Sequence, residues 1–523
     1  MIVVFRADAS NRIGTGHLVR CLTLAKALRE RCVEVRFICR AHPGHLIERL
    51  QHEAMPVIVL PPAPYIRSGQ AADYAVWLGV SQAQDAKETI AALGDEPPDW
   101  LIVDHYGLDM EWERQLRPHV NRLMVIDDLA NRSHDCDLLL DQNVINNGGV
   151  SLYPSYGNHT EARYRNRLPA HCKQLIGPRY ALLRPEYADR RKTLKPRDGR
   201  IRRVLVFLGG IDTDNVTDRA LAALSLPEFR HLEVDVVVGA NNPHCAAIEN
   251  QAAKRPRTTL HGPRLHLADL MACADLAIGA GGTTTWERLC IGLPSLVISI
   301  AENQEPACIT LKKAGLIRYL GDATAVDKEK TCAGLGEMMD TPKTLIEQSI
   351  AGQLLVDGLG ALRVLEAINP TSIDQLRLRP VQKDDIMIYY NWADDPDVRR
   401  QAFHSEPIHW REHQDWFHGK MTDSRSHLFV LQACNLPVGQ VRFDGENDQV
   451  HIDYSLDPLV RGRGWAAPMV AMGIQALLKG KETLNLYADV KIDNHVSRAV
   501  FRRLGFREKA SEGKVLFSLS LPR

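Results

Sequence analysis

The chain has 523 residues, 45% hydrophobic and 24% charged, and Lys plus Arg equals Asp plus Glu at 64 each, so the formal net charge is zero. That length exceeds what one hydrophobic core serves and predicts about three compact units, and the average composition excludes long disorder and fibrous repeats. Zero net charge excludes a global field that recruits nucleic acid or an anionic membrane, so any anionic ligand must be caught locally.

The opening MIVVFRADAS carries an arginine and an aspartate within eight residues, and no later apolar run reaches membrane-spanning length. A cytoplasmic protein is expected. Eleven cysteines lie scattered without a CxxC pair, which points to buried thiols and away from structural zinc or a disulfide framework.

Along the chain, IVVF at residues 2 to 5 is followed by helical spacing from His17 to Glu30, then by VEVRFIC, WLIVD and RLMVIDD. Alternating strand and helix predicts a doubly wound parallel sheet over residues 1–188. After the basic stretch DRRKTLKPRDGR the same alternation restarts in RRVLVFLGG, VDVVVGA, ADLAIGAGG and PSLVISIA, giving a second such α/β domain over 200–350. Two such domains in tandem place a ligand cleft between the carboxyl ends of their sheets. Residues 351–372 read as a linker with helical character, and LRLRPVQKDD opens a shorter α+β unit over 373–523.

The run RADASNRIGTGHLVRCLTLAKAL joins the first strand to a helix through Gly14, Thr15 and Gly16, so glycine amides and a helix start are offered to an anion or a sugar face. His17 falls on the first helical turn, where the positive helix end favours the neutral, proton-accepting imidazole. The alternative is a tight turn with a capping histidine. In ADLAIGAGGTTTWERLC a buried strand ends in Gly279, Gly281 and Gly282, and Thr283, Thr284 and Thr285 lead into a helix carrying Glu287. Small residues let amides approach a diphosphate, hydroxyls add donors, and a carboxylate one turn later accepts ribose hydroxyls. FLGGIDTDN, with Gly209, Gly210, Asp212 and Asn215, is either a further glycine turn at the cleft or a plain strand-to-helix turn. ISIAENQEP sets Glu302, Asn303 and Gln304 after the next strand, as sugar contacts or as loop caps.

Together RADAS..IGTGHLVRCLTLA, GGIDTDN, GAGGTTTWER and AENQ resemble the UDP-2,4-diacetamido-2,4,6-trideoxy-β-L-altropyranose hydrolases of pseudaminic acid biosynthesis, over roughly the first 350 residues. The resemblance implies a GT-B-like pair of Rossmann-like domains and metal-independent, inverting cleavage of the anomeric C–O bond by water. It assigns water activation to His17, the ribose to Glu287, and the sugar's surroundings to Asn303 and Gln304, with Arg6 and Asp8 beside the site or, equally, orienting the loop. No DxD-type metal motif stands beside Gly14–Gly16 or Gly279–Gly282. A diphosphate is already a good leaving group and needs amide donors more than a general acid. The alternatives are a GT-B glycosyltransferase, in which a sugar acceptor replaces water, and a nucleotide-sugar-binding protein without turnover.

Towards the C-terminus, VHIDYSLDPLVRGRGWAAPMVAMGIQALL reads as strand, turn and amphipathic helix, with Arg461, Gly462, Gly464 and Ala466 at the turn as R-x-x-G-x-A. Amides at such a helix start suit the pyrophosphate of coenzyme A; the alternative is a helix start in a basic loop. LNLYADVKIDNHVSRAVFRRLGF follows, with Asn494 and Ser497 opening a helix. This succession resembles the GNAT acetyltransferases over residues 376 to 521, and LRPVQKDDIMIYYNWADDPDVRRQAF resembles the subgroup acting on a UDP-4-amino sugar. The resemblance implies acetyl-CoA as co-substrate and N-acetylation of the 4-amino precursor of the hydrolase substrate. Many relatives carry a tyrosine one turn after the Asn/Ser pair, where this chain has Phe501, so Tyr487 or water is left as the acid. Asp453 is a base acting through water or merely the partner of a nearby cation.

Overall fold

A computed structural model describes residues 1–63, 74–144, 161–446, 449–478 and 483–522. The chain divides into two compact units, one ending at Leu365 and the other starting at Glu366.

In the first unit the aliphatic runs become β1 (Ile2–Ala7), β2 (Glu34–Arg40), β3 (Val57–Leu60), β4 (Trp100–Asp104), β5 (Leu123–Ile126), β6 (Leu138–Asp141) and β7 (Lys173–Ile176). They pair in the order β3-β2-β1-β4-β5-β6-β7, parallel throughout. Strands covered by helices on both faces are apolar on both, which is why WLIVD is buried along its whole length. Strand order reverses between β1 and β4, the switch point where open sheets take ligands at their carboxyl ends. The register there sets Ala7 against Asp104, so a carboxylate ends β4 level with the end of β1.

A second sheet repeats the arrangement with β8 (Arg203–Phe207), β9 (Glu233–Val237), β10 (Thr258–His261), β11 (Leu276–Ala280), β12 (Ser295–Ser299) and β13 (Arg318–Asp322). Its order is β10-β9-β8-β11-β12-β13, again parallel, with the reversal between β8 and β11. Both sheets are Rossmann-like, as expected from the sequence. Residues 351–372 complete the helix Pro342–Leu355 and form the helix Gly360–Ile368.

The second unit is an α+β fold on one mixed sheet of β14 (Leu376–Pro380), β15 (Ser426–Ala433), β16 (Leu436–Glu446), β17 (Gln449–Leu456), β18 (Thr483–Lys491), β19 (Arg507–Ser511) and β20 (Lys514–Pro522). The order is β14-β15-β16-β17-β18-β20-β19, antiparallel except for β17 with β18. Those two parallel strands pair only over Gln449–His451 with Asn485–Tyr487. Beyond that point both continue unpaired with each other, which leaves backbone edges open in the middle of the sheet.

Candidate functional site

In the first unit the loops after β1, β4, β5 and β6 and those after β11 and β12 line one cavity of about 460 Å³. Its first-lobe wall includes Ile13, Gly16, His17, Arg20, Tyr106 and Asp128, and its second-lobe wall Gly281, Gly282, Thr283, Asn303 and Gln304.

The loop that delivers His17 is tied down locally. Ser10 Oγ accepts the amides of Arg12 at 3.1 Å and Ile13 at 2.9 Å, and the Gly14 amide donates to the Ser10 carbonyl at 2.9 Å. Helix α1 (Gly16–Glu30) starts there, and His17 on its first turn is 7% exposed. Its Nδ1 lies 2.6 Å from Asp104 Oδ1. Burial by itself would raise the Asp104 carboxyl. Arg20, donating Nε to Oδ2 at 2.6 Å and a terminal nitrogen to Oδ1 at 2.7 Å, together with His17, instead holds it far below the usual carboxylate range. An ionised carboxylate only accepts, so the imidazole proton sits on Nδ1 and Nε2 is the nitrogen left for a ligand. Arg20 also donates to Asp128 Oδ2 at 2.5 Å, and the Tyr106 hydroxyl donates to the same oxygen at 2.9 Å. The His17 ring stands edge-on to Tyr106 at 4.5 Å, and Trp77 stacks on Tyr106 at 5.7 Å, which completes an aromatic wall.

On the opposite wall, Gly281 has no room for a side chain, since a Cβ there would fall 2.4 Å from Cys308 Sγ. The backbone is thus pressed onto its own lobe at the turn preceding the helix Thr284–Ile291. Beneath that turn the buried Arg288 donates to the Ala280 carbonyl at 2.8 Å, and burial lowers its guanidinium to about 10. The amides of Gly281, Thr285 and Trp286 are used within the lobe, by the carbonyls of Ile298 at 3.2 Å, Gly282 at 2.9 Å and Thr283 at 3.1 Å, so those of Gly282, Thr283 and Thr284 are the donors at this end. Gln304 is oriented by accepting the Ile300 amide at 3.0 Å through its side-chain oxygen. Burial pushes the Glu287 carboxyl up to about 7, against the hydrogen bond from Tyr187, whose hydroxyl accepts the Leu267 amide at 3.1 Å. The loop carrying Leu267 lines a second hollow of about 410 Å³, walled by Gly262 through Leu270 apart from Leu267 and Ala268.

Several expected site residues stand elsewhere. Arg6 and Asp8 are fully buried and do not line the cavity. Arg6 donates to Asp8 at 2.7 Å and to Asp85 at 3.2 and 2.7 Å, and Asp8 accepts the Arg40 amide at 2.7 Å, so the pair pins the ends of β1 and β2 together. Burial would raise Asp8, but Arg6 and His42 outweigh it and hold the carboxyl well below its ordinary value. Gly14, Gly210, Thr284 and Glu287 are likewise outside the wall of the first cavity. Gly210 faces Thr15 of the other lobe, a built Cβ lying 3.8 Å from Thr15 Oγ1, and Thr284 Oγ1 accepts Arg288 at 3.2 Å. The sequence reading passed over Asp104, Arg20, Tyr106 and Asp128. A signal for two of them was present, because Arg20 is one helical turn after His17 and Asp104 ends a wholly apolar strand at the switch point. No group of three or more His, Cys, Asp or Glu side chains suited to a metal ion occurs among the described residues.

In the second unit the turn after β17 has Gly462 and Gly464 at φ of +81° and +76°, left-handed conformations that favour glycine, and the helix Ala466–Leu478 follows. Arg461, expected to face a phosphate, is instead committed to carboxylates: it donates to Asp397 at 2.8 Å and Asp395 at 2.7 Å, and to the Leu456 carbonyl at 3.1 Å. Asn494 caps the helix His495–Arg503 by accepting the Ser497 amide at 3.0 Å. Ser497 Oγ takes the hydroxyl of Tyr454 at 3.0 Å, a contact absent from the sequence reading. Phe501 is 2% exposed and stacks on Phe517 at 5.3 Å, which makes it core. Asp453 is 57% exposed, accepts Gln440 Nε2 at 3.0 Å and lies 3.9 Å from Arg442. Tyr487 packs beside His451 at 5.8 Å, at the last paired position before β17 and β18 separate.

Residues 375–507 match the acetyltransferase (GNAT) domain family. The chain is 27% identical over 361 residues to the spore coat polysaccharide biosynthesis protein SpsG of Bacillus subtilis, covering 68% of this chain and 95% of that protein. It is 24% identical over 315 residues to the UDP-2,4-diacetamido-2,4,6-trideoxy-beta-L-altropyranose hydrolase of Campylobacter jejuni, covering 60% of this chain and 97% of the relative. An uncharacterized protein of Methanocaldococcus jannaschii is 21% identical over 554 aligned positions and matches both chains from end to end. The resemblance read from the motifs therefore holds: a stretch similar to a nucleotide-sugar hydrolase precedes a GNAT domain. No helix among the described residues is long and apolar enough to cross a membrane.

Proposed function

We propose that the first unit hydrolyses UDP-2,4-diacetamido-2,4,6-trideoxy-β-L-altropyranose to UDP and free sugar without a metal, and that the second N-acetylates the 4-amino precursor with acetyl-CoA. The observation that carries the first half is the His17 and Asp104 pair across one cavity from the Gly281–Thr283 turn. In this reading the turn's amides hold the diphosphate and Glu287 the ribose, with the base in the hollow beside Leu267. His17 Nε2 takes a proton from water as the water oxygen attacks the anomeric carbon. In the same step the anomeric C–O bond breaks with its electron pair leaving on UDP, and Asp104 balances the imidazolium formed. A diphosphate leaves as a stabilised anion, so the paired carboxylates of ordinary glycosidases are not needed.

The second unit fits an acyl-CoA thioester on two features: the unpaired edges of β17 and β18, which offer backbone groups to an extended amide chain, and the left-handed glycine turn at the start of the helix Ala466–Leu478. Bound there, acetyl-CoA supplies the activated acetyl group. Gly462, Gly464 and Ala466 would contribute backbone to the pyrophosphate grip, Asp453 would take a proton from the acceptor amine through water, and Tyr487 would give a proton to the departing thiolate. Arg461 shapes this turn through Asp395 and Asp397, while Asn494 and Ser497 fix the neighbouring helix.

The test is mass spectrometry of the full chain with acetyl-CoA and the UDP-4-amino sugar in the presence of a chelator. A gain of about 42 Da from acetyl transfer, followed by loss of UDP, is expected. His17→Ala should keep binding UDP and stop releasing sugar. UDP release that strictly requires a sugar acceptor would make the first unit a transferase, and unchanged turnover in His17→Ala would remove this histidine from the mechanism.

A further inference from the structure

Away from the cavity, two thiols stand in contact. Cys136, just before β6, and Cys172, just before β7, are 36 residues apart in sequence, and their Sγ atoms lie 3.5 Å from each other. No other two cysteines among the described residues are joined in this way. Backbone bonds on both sides impose the contact. Asp137 accepts the Lys173 amide at 2.9 Å on its carbonyl, donates its own amide to the Leu123 carbonyl at 2.8 Å, and accepts the Leu123 amide at 2.7 Å on its carboxylate. Asp135 donates its amide to Glu113 at 2.5 Å, so both neighbours of Cys136 are held, and Cys172 donates its amide to the Pro169 carbonyl at 3.0 Å. A disulfide sets its sulfurs about 2.05 Å apart, so closure needs an approach of about 1.5 Å, which side-chain rotation supplies with the strands left in place.

The two thiols are unequal. Cys136 is fully buried in the first-lobe core, whereas Cys172 is half-buried and open to a small solute. The hydrogen bond from Cys136 holds the Cys172 thiol below its ordinary value, while that bond and burial push Cys136 well above. The accessible sulfur is therefore also the better thiolate, the form that attacks an oxidant.

We propose that Cys136 and Cys172 are a modification site, a dithiol that a peroxide converts to a disulfide joining β6 to β7. The Cys172 thiolate attacks one oxygen of hydrogen peroxide, the O–O bond breaks, and Cys172 becomes a sulfenic acid while the other oxygen leaves as hydroxide and is protonated to water. Cys136 sulfur then attacks Cys172 sulfur, the S–O bond breaks, and the departing hydroxide takes the Cys136 proton as a second water. Two thiols and one peroxide give one disulfide and two waters, the sulfurs losing the two electrons that the O–O bond gains. β7 is the edge strand, paired on one side only, and the chain passes from it toward the helix Pro185–Lys192, so the bond fixes the strand by which the chain leaves this sheet. The sulfurs precede β6 and β7 whereas the cavity loops follow their strands, so the oxidation does not depend on what the cavity binds.

The full chain, reduced and freed of reductant, is treated with a slight excess of hydrogen peroxide, digested without reductant and read by peptide mass spectrometry. One linked peptide pair carrying residues 136 and 172, about 2 Da lighter than the two thiols together, is expected, and dithiothreitol should separate it. Cys172→Ser should abolish the link and leave Cys136 unmodified. Cys136→Ala should let sulfenic acid accumulate on Cys172, where dimedone traps it. Oxidation should raise the thermal unfolding midpoint of the wild-type first unit by about 4–10 °C and leave that of Cys172→Ser unmoved. Oxidation of Cys172 to sulfinic acid without a link, links formed in preference by other cysteines, or an unchanged midpoint in linked wild type overturns the proposal.

Discussion

Asp104→Asn removes the charge on which the first site is organised while leaving its shape. The wild-type carboxylate accepts three strong bonds, from His17 Nδ1 at 2.6 Å and from Arg20 at 2.6 and 2.7 Å. An asparagine oxygen turned toward Arg20 presents its NH2 to His17, so Nδ1 must accept and the ring proton moves to Nε2. The nitrogen meant to take a proton from water is then blocked, and no anion remains to balance an imidazolium. A wrong tautomer in the serine protease triad costs about 10⁴ in kcat, equivalent to roughly 5.4 kcal/mol at about 1.36 kcal/mol per tenfold. A loss of about 10³- to 10⁴-fold in kcat is expected here, with UDP affinity changed by less than about threefold, because the proposed diphosphate site is on the other lobe. Continuous UDP release gives kcat and calorimetry gives the affinity. Arg20 keeps Asp128, so thermal unfolding should show a destabilised but folded protein. A variant that binds UDP normally and turns over within about tenfold of wild type would refute the assignment of the base and its orienting carboxylate.

Gly281→Ala should cost about 1–3 kcal/mol in thermal or denaturant unfolding and weaken UDP binding, because the new methyl meets Cys308 Sγ at 2.4 Å, and adding Cys308→Ala should restore part of both. Glu287, raised to about 7 by burial, has to be ionised to accept two ribose hydroxyls. Affinity for a UDP-sugar, whose diester phosphates do not titrate in this range, should therefore fall as pH drops below about 7, by up to tenfold per unit, and Glu287→Gln should flatten the profile. In the second unit, Asp453→Asn should reduce acetyl transfer by about 10²-fold if it relays the amine's proton. A loss under threefold would leave Asp453 as the partner of Gln440 and Arg442 only.

The strands at the centre of both parallel sheets were legible because burial on two faces forces unbroken aliphatic runs such as IVVF and WLIVD, and the order of strands and helices fixed where a cleft must open. His17 was legible for the same local reason, as the polar residue on the first turn after the first strand. Asp104 was not, being 87 residues away and brought to His17 only by the parallel register of β1 with β4. For Arg6 and Asp8 the sequence left a binding role and a loop-orienting role open, because polarity beside a glycine turn fits both, and their buried partners from other strands and helices favour the second. Arg461 misled: its carboxylate partners Asp395 and Asp397 lie 66 and 64 residues upstream. In each case the local residue type was read correctly and its long-range partner was invisible. At Phe501 the missing hydroxyl was evident from sequence, whereas the Tyr454 hydroxyl reaching the same helix from β17 was evident only from the sheet.

In the proposed reading the two lobes of the first unit divide opposite electrostatic tasks. Cleavage of an anomeric C–O bond builds positive charge on the sugar and negative charge on the leaving diphosphate. Around the sugar end stand Asp104 and Asp128, with Arg20 between them already committed to both, so the local field favours a cationic ring and a proton on His17. Around the phosphate end, the buried Arg288 beneath the turn is directed onto the Ala280 carbonyl, which leaves amide dipoles as the donors. Dipoles fixed by a glycine turn stabilise a developing anion without reorganising and without pairing so tightly that UDP cannot leave. Because in the proposed reading the base follows β1 of one sheet and the anion donors follow β11 of the other, neither lobe alone has a complete site. Separating the lobes by even a few ångströms should therefore abolish turnover while UDP binding, which rests on the second lobe, persists.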